Sequence, residues 1–258
     1  ALISSKTFSC LSASLISLKN LKELIRSDCL PDTDEADFDA LGGAYAKKNN
    51  GLLLTIGTPT HKSEIIGKLS QSEKSLFGKI LFIKNEAFFD SYDENIEYNI
   101  FSLGHRNPQG LVVKDDFIFS LEHGPKGGDE LNIIEKGKNY GWPVITYGIN
   151  YNGTKITDIT HKEGMEQPIW HWTPSIAVCG MKIYMGKEFP SWNGDILVTS
   201  LKFEYLERIV VRDKKKVGSE IIYEPGSRVR DVEIDSFGNI YVALENPGRI
   251  VKISKSKK

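Results

Sequence analysis

Cysteine is scarce in this chain. The 258 residues hold three, Cys10, Cys29 and Cys179, far apart and without a C-x-x-C pair. That spacing excludes a zinc ribbon, an iron–sulfur site and a disulfide scaffold. The thiols read as buried, with a Cys10–Cys29 disulfide as the alternative. Excess charge is also lacking: 33 Lys+Arg stand against 34 Asp+Glu, a net charge of −1. Nothing therefore draws the protein as a whole to nucleic acid or to an anionic membrane, and a charged ligand must be met by a local cluster. No apolar run approaches the ~18 residues of a spanning helix. Residues 1–18 lack the basic start and apolar centre of a signal peptide, so export implies a signal already removed. What remains is a globular composition, 40% hydrophobic and 26% charged, with 23 glycines that imply many turns.

The apolar pattern has a short period. Runs such as Leu52–Ile56, Phe117–Leu121, Ile196–Ser200, Arg208–Val211 and Ile240–Leu244 are bounded by Gly, Asn or Asp and read as strands. Ser17–Arg26 reads equally as a helix or as a strand and loop. The strand runs recur in series. Gly43–Gly57 leads to Gly78–Ile83, Gln109–Gly124 to Asp129–Ile134, Ile176–Tyr184 and Gly194–Ser200 to Leu206–Val211, and Val229–Asn246 to Gly248–Ile253. Each unit offers an inner strand, a turn, a second strand, a top loop and an outer strand. Serial units of this kind predict an all-β fold of the β-propeller class; a β-sandwich is the alternative but does not explain the recurrence. Thr7–Ile25 reads as the outer part of a preceding blade. The expectation is a single domain over residues 1–258, with opening strands supplied by an unseen N-terminal segment or by a partner chain, because a propeller must close its ring.

Three motifs concentrate chemistry: Gly104-His-Arg-Asn-Pro-Gln-Gly-Leu111, Glu122-His-Gly-Pro-Lys-Gly-Gly-Asp-Glu-Leu131 and Asn139-Tyr-Gly-Trp-Pro143, with Arg228-Val-Arg-Asp-Val232 further on. Together and in this order they resemble the soluble glucose/sorbosone (aldose sugar) dehydrogenase family, from about Thr7 to Ile253. The resemblance implies a six-bladed β-propeller, apparently without its N-terminal blade or blades here. It also implies a pyrroloquinoline quinone (PQQ) cofactor and a calcium ion. PQQ is a planar ortho-quinone with three carboxylates, which Arg forks suit. The family positions that contact it match Arg106, Asn107, Lys202, Arg228 and Arg230. Calcium, a hard cation, takes oxygen ligands, and the matching carbonyls are those of Gly124 and Pro125. An aldose sugar or related alcohol is the implied substrate, oxidised by hydride transfer with Arg106 stabilising the reduced cofactor. An electron acceptor and a periplasmic or secreted location come with the same resemblance; neither nucleic acid nor a membrane span does.

One departure stands out. The family's general base is a histidine in D-H-x-x-G-[RG]; the matching segment is Asp39-Ala-Leu-Gly-Gly-Ala-Tyr45, with Ala40 at the base position. General-base help is worth about 10² to 10⁴ in rate, so a non-catalytic propeller used for ligand or protein binding is the competing reading. Asp39 is the remaining acidic candidate there. Other residues carry two readings each. His105 is either a pocket group or a hydrogen-bonded structural imidazole, and His123 neighbours the calcium loop. His61, His161 and His171 read as loop or surface groups. Asp129 and Glu130 point to opposite faces of a strand, which favours turn stabilisation over a catalytic pair. Trp142, Trp170, Trp172 and Trp192 read as packing or as sugar-stacking groups. Arg228 and Arg230, two apart on a strand, share one face and are either cofactor ligands or solvated charges.

Overall fold

The computed structural model describes residues 2–7, 10–16, 23–27, 30–31, 36–37, 40–61, 67–84 and 96–255. The fold is all-β. Strands β1 (Leu2–Thr7), β2 (Cys10–Ile16), β3 (Glu23–Arg26) and β4 (Leu30–Pro31) form an antiparallel sheet in which β2 pairs with the other three. This segment is thus a sheet of four strands, where the sequence pattern suggests only the outer part of a blade. Next come β5 (Ala36–Asp37), β6 (Gly42–Lys48), β7 (Gly51–Ile56), β8 (Thr60–His61), β9 (Lys79–Lys84) and β10 (Tyr98–Leu103). They make a sheet in the order β10-β9-β7-β6, beside a short β5–β8 pair. The third sheet is β11 (Pro108–Lys114), β12 (Phe117–Glu122), β13 (Asp129–Ile133) and β14 (Trp170–Trp172). The fourth is β15 (Val178–Ile183), β16 (Ile196–Ser200), β17 (Leu206–Arg212) and β18 (Lys215–Tyr223), and β19 (Val229–Ile234), β20 (Ile240–Leu244) and β21 (Arg249–Ile253) complete a three-stranded sheet.

All four sequence repeats fall on sheets, and the four-stranded antiparallel meander is the blade of a propeller. The turns explain themselves locally. Asp213 and Lys214, both at positive φ (48° and 61°), form the tight turn that suits a right-twisted hairpin between β17 and β18. Asp235 accepts the backbone N–H groups of Phe237 and Asn239 in the β19–β20 turn, both at 2.9 Å. The central strands are apolar runs because both of their faces are covered.

The chain groups into two compact units: Ala1–Pro108 with Ile134–Thr146 and Ile156–Gln167, and Gln109–Ile133 with Tyr147–Lys155 and Pro168–Lys258. The first has its core around Leu54, Ile56, Phe77, Leu81 and Ile83. The second has two clusters, one on Leu121, Leu131, Val178, Ile196 and Val198, the other on Tyr184, Leu197, Leu206, Val232 and Val242. Among the described residues no helix is long and apolar enough to cross a membrane.

Candidate functional site

In the first unit, the connection between β10 and β11 carries Gly104, His105, Arg106 and Asn107. Gly104 sits at φ +81°, and a Cβ there would lie 2.2 Å from the Asn139 side chain. Only glycine lets the two motifs touch so closely. His105 is fully buried, its Nε2 lies 2.8 Å from the Ser102 hydroxyl, and its ring stacks on Tyr140 at 4.8 Å. It is the structural imidazole of the two readings. Arg106 is buried, and its guanidinium lies over the Trp142 ring at 5.3 Å, a cation–π geometry. Trp142 therefore serves as a platform for an arginine, a role its sequence position did not signal.

The platform is itself held. Its carbonyl accepts from Ser70 Oγ and from Gln71 Nε2 (2.7 Å), and Gln71 also exchanges amide hydrogen bonds with Asn139. Beneath the 3-10 turn Leu69–Gln71, the fully buried Lys79 donates to the carbonyls of Leu69, Ser70 and Phe77 at 3.0, 2.9 and 2.7 Å. Burial pushes its ammonium down to a pKa of about 7.

Asn107 is buried and accepts the Gly42 N–H at 3.0 Å; the Thr58 N–H donates to the Arg106 carbonyl at 2.6 Å, and the Gly57 N–H to the Leu41 carbonyl at 2.7 Å. The segment after Ala40 is thereby joined to the Arg106–Asn107 loop. Ala40 is 3% exposed, and its methyl offers no proton acceptor. Asp39 lies outside the described residues, as do residues 17–22 of the ambiguous helix and Cys29 of the alternative disulfide.

The second unit holds an open cavity of about 750 Å³ whose wall includes His123, Gly124, Pro125, Lys126, Asp129, Tyr151, Ser175 and Lys202. The β12–β13 loop shapes one side. Asp129, 1% exposed, accepts the N–H groups of Gly124 (2.9 Å) and Val178 (3.2 Å) and so clasps the loop to β15. Turn stabilisation is thus its observed work. Glu130, cross-strand from Glu122, is raised above the usual carboxylate range by burial and by the Glu122 charge. At Gly124 a Cβ would meet the Gly128 carbonyl at 2.2 Å, so the loop requires glycine. Lys202 follows β16, where its N–H donates to the Ile176 carbonyl at 3.0 Å. His123 bonds through Nε2 to the Val178 carbonyl, and His171 stacks on Tyr147 at 3.9 Å. His161 is exposed. Cys179 is a buried free thiol. Trp172, buried, donates to Glu207 at 3.3 Å, and Trp192 stacks on Phe189 at 4.3 Å, both packing roles.

Arg228 and Arg230 are not on this cavity wall. They do share one face, as their spacing requires, and both pair with Glu245, Arg228 through Nε at 3.1 Å. The fold thus joins Lys202 to Gly124 and Pro125, joins Arg106 to Asn107 and the Ala40 segment, and joins Arg228 to Arg230. Lys126, Tyr151 and Glu245 were not singled out by the sequence. Hairpin register could have found Glu245, because the pairing of Leu244 with Val229 sets it beside Arg228.

The donor types suit a polycarboxylate with a hard cation. The cavity lies within the 300–1,000 Å³ usual for small-molecule sites, and its wall includes two lysines, Lys126 and Lys202. Pro125 accepts the Ser175 hydroxyl at 3.2 Å, and a carbonyl has a second lone pair for a metal. Among the described residues no group of three or more His, Cys, Asp or Glu could hold a metal ion, so a cation here would rest mainly on carbonyl oxygens.

Comparison with known proteins adds a lineage. The Glucose / Sorbosone dehydrogenase family profile matches residues 13–252. The aldose sugar dehydrogenase YliI of Escherichia coli (strain K12) is 41% identical over 161 residues, 60% of this chain and 43% of that protein. The quinoprotein glucose dehydrogenase B of Acinetobacter calcoaceticus is 26% identical over 257 residues, 76% of this chain and 52% of its own. The chain spans about half the length of the curated relatives it matches. A crystal structure of a glucose dehydrogenase superposes with TM-score 0.80 at 28% identity, covering 99% of this chain and 77% of that one.

Proposed function

Because the chain belongs to the Glucose / Sorbosone dehydrogenase family, we propose that the protein is a PQQ- and calcium-dependent oxidoreductase acting on an aldose sugar or related alcohol. The observation that carries this reading is the second unit's cavity, where Lys202, Gly124 and Pro125, distant in sequence, share one wall. When bound, the quinone would supply the hydride acceptor and the calcium a Lewis acid. Lys202 would offer a cationic donor to the quinone's carboxylates, and Gly124 and Pro125 carbonyl oxygens to the metal; Arg228 and Arg230, off this wall and paired with Glu245, are two further cations of the same unit. Asn107 fixes the loop that carries Arg106. In the first unit Arg106, buried on its indole platform, is a fixed cation that would stabilise negative charge developing on a group held beside it. The same reading places the protein in the periplasm or outside the cell, with a separate electron acceptor.

A second reading, a propeller that binds without turning over, rests on one observation. Position 40 is a buried methyl, and the chemistry needs an acceptor for the sugar's hydroxyl proton. Calorimetric titration with PQQ, with and without Ca²⁺, followed by dye reduction over a panel of aldoses, separates the two. Calcium-enhanced binding with turnover supports the enzyme, binding without turnover supports the second reading, and no binding removes the cofactor from both.

A further inference from the structure

Glu245 holds two arginines at once. Its carboxylate accepts a hydrogen bond from Nε of Arg230 through Oε1, which also forms an ion pair with Nη2 of Arg230, while Oε2 forms an ion pair with Nε of Arg228 at 3.1 Å. Its backbone N–H donates to the Arg228 carbonyl at 3.0 Å, so carboxylate and arginines are carried by one hairpin and keep a fixed register. On the far side Arg230 reaches the Cys179 sulfur through Nη1 at 3.6 Å. The side chains are 48%, 45% and 30% exposed for Arg228, Arg230 and Glu245. Ion pairs so open to water are weak and screened by salt.

Two guanidinium groups and one carboxylate leave a net charge of +1. The Nη pair of Arg228 has no other hydrogen bond among the described residues. An arriving carboxylate thus meets one guanidinium edge that is available and a second already occupied by a carboxylate of the protein. We propose that Glu245 is a displaceable internal carboxylate. It keeps Arg228 and Arg230 aligned in the absence of ligand and competes with a polycarboxylate ligand for their N–H donors. This rests on the reading that the two arginines face the carboxylates of an aromatic polyacid cofactor, and it makes Glu245 a positioning residue that sets affinity and salt dependence.

The test compares wild type with Glu245→Gln and Glu245→Asp, each titrated calorimetrically with PQQ and, separately, with benzene-1,3,5-tricarboxylate at low and at physiological salt. Removing the competing charge tightens binding of both probes by about fivefold to tenfold at low salt, and the gain shrinks as salt rises. Glu245→Asp, which keeps the charge, stays within about twofold of wild type. Glu245→Ala replaces the Gln variant if thermal unfolding shows that one to be misfolded. Equal or weaker binding of both probes by the neutral variants overturns the proposal. Tighter tricarboxylate binding alongside indifference to PQQ in every protein upholds the competition and removes the cofactor reading. If neither probe binds any of the proteins, both fall.

Discussion

Lys79 makes the stability of this protein climb with pH above neutrality. Its ammonium is fully buried, bonded to three carbonyls, and its pKa is lowered by burial to about 7, against about 10.4 in an unfolded chain. Below pH 7 both states hold the proton, and the folded state bears the full cost of the buried charge. Between these values the unfolded chain binds a proton that the folded one does not, so unfolding becomes harder as pH rises. The slope is about 1.36 kcal/mol per pH unit, or about 2.5 kcal/mol between pH 7.5 and pH 9.5. Lys79→Met removes the titration. In that variant Leu69 still receives the Ser72 N–H at 3.1 Å and Ser70 the Gly104 N–H at 2.9 Å, which favours its folding. Urea unfolding of both proteins at several pH values cancels every other titrating group in the difference. A wild-type curve that rises relative to Lys79→Met by the stated slope supports the reasoning; parallel curves refute it.

Three further outcomes follow from the site. Ala40→His must place an imidazole where the methyl is 3% exposed, at a packing cost of about 1–3 kcal/mol. If the missing base is the single lesion, dye reduction in the presence of PQQ, Ca²⁺ and an aldose rises by about 10² or more; unchanged turnover in a folded variant sinks that account. Gly124→Ala forces a Cβ against the Gly128 carbonyl at 2.2 Å. The loop rearranges and calcium ceases to enhance PQQ binding, as the calorimetric titration reads directly. Lys202→Met removes a cation from the cavity wall and weakens PQQ by about tenfold, with a shallower salt dependence; an unaltered affinity argues against its contact with the cofactor.

Much of the blade pattern was legible because central strands are buried on both faces and therefore print unbroken apolar runs, as in Leu52–Ile56 and Ile196–Ser200. The fourth strands were not. Trp170–Trp172 has three residues, and the nine of Lys215–Tyr223 mix lysine, serine and glutamate with partly exposed apolar groups, so neither stands out from a loop. The same limit applies to polar residues. His105 kept two readings until its bond to Ser102 and its stack on Tyr140 were visible, because an imidazole in a motif looks alike whether it meets a ligand or a serine. Lys79 gave no signal, since a lysine at the start of a strand ordinarily faces water.

By itself, then, the sequence determined the fold class, the order of the repeats, the same-face placement of Arg228 and Arg230, and the methyl at position 40. These follow from local periodicity and residue chemistry, which need no partner. Tertiary structure alone decided that Trp142 lies under Arg106, that Lys202 shares a cavity with Gly124 and Pro125, and that Glu245 occupies both arginines. Each of those facts depends on which loops the sheets bring to the same place, and loop meetings are set by packing between strands that lie far apart along the chain.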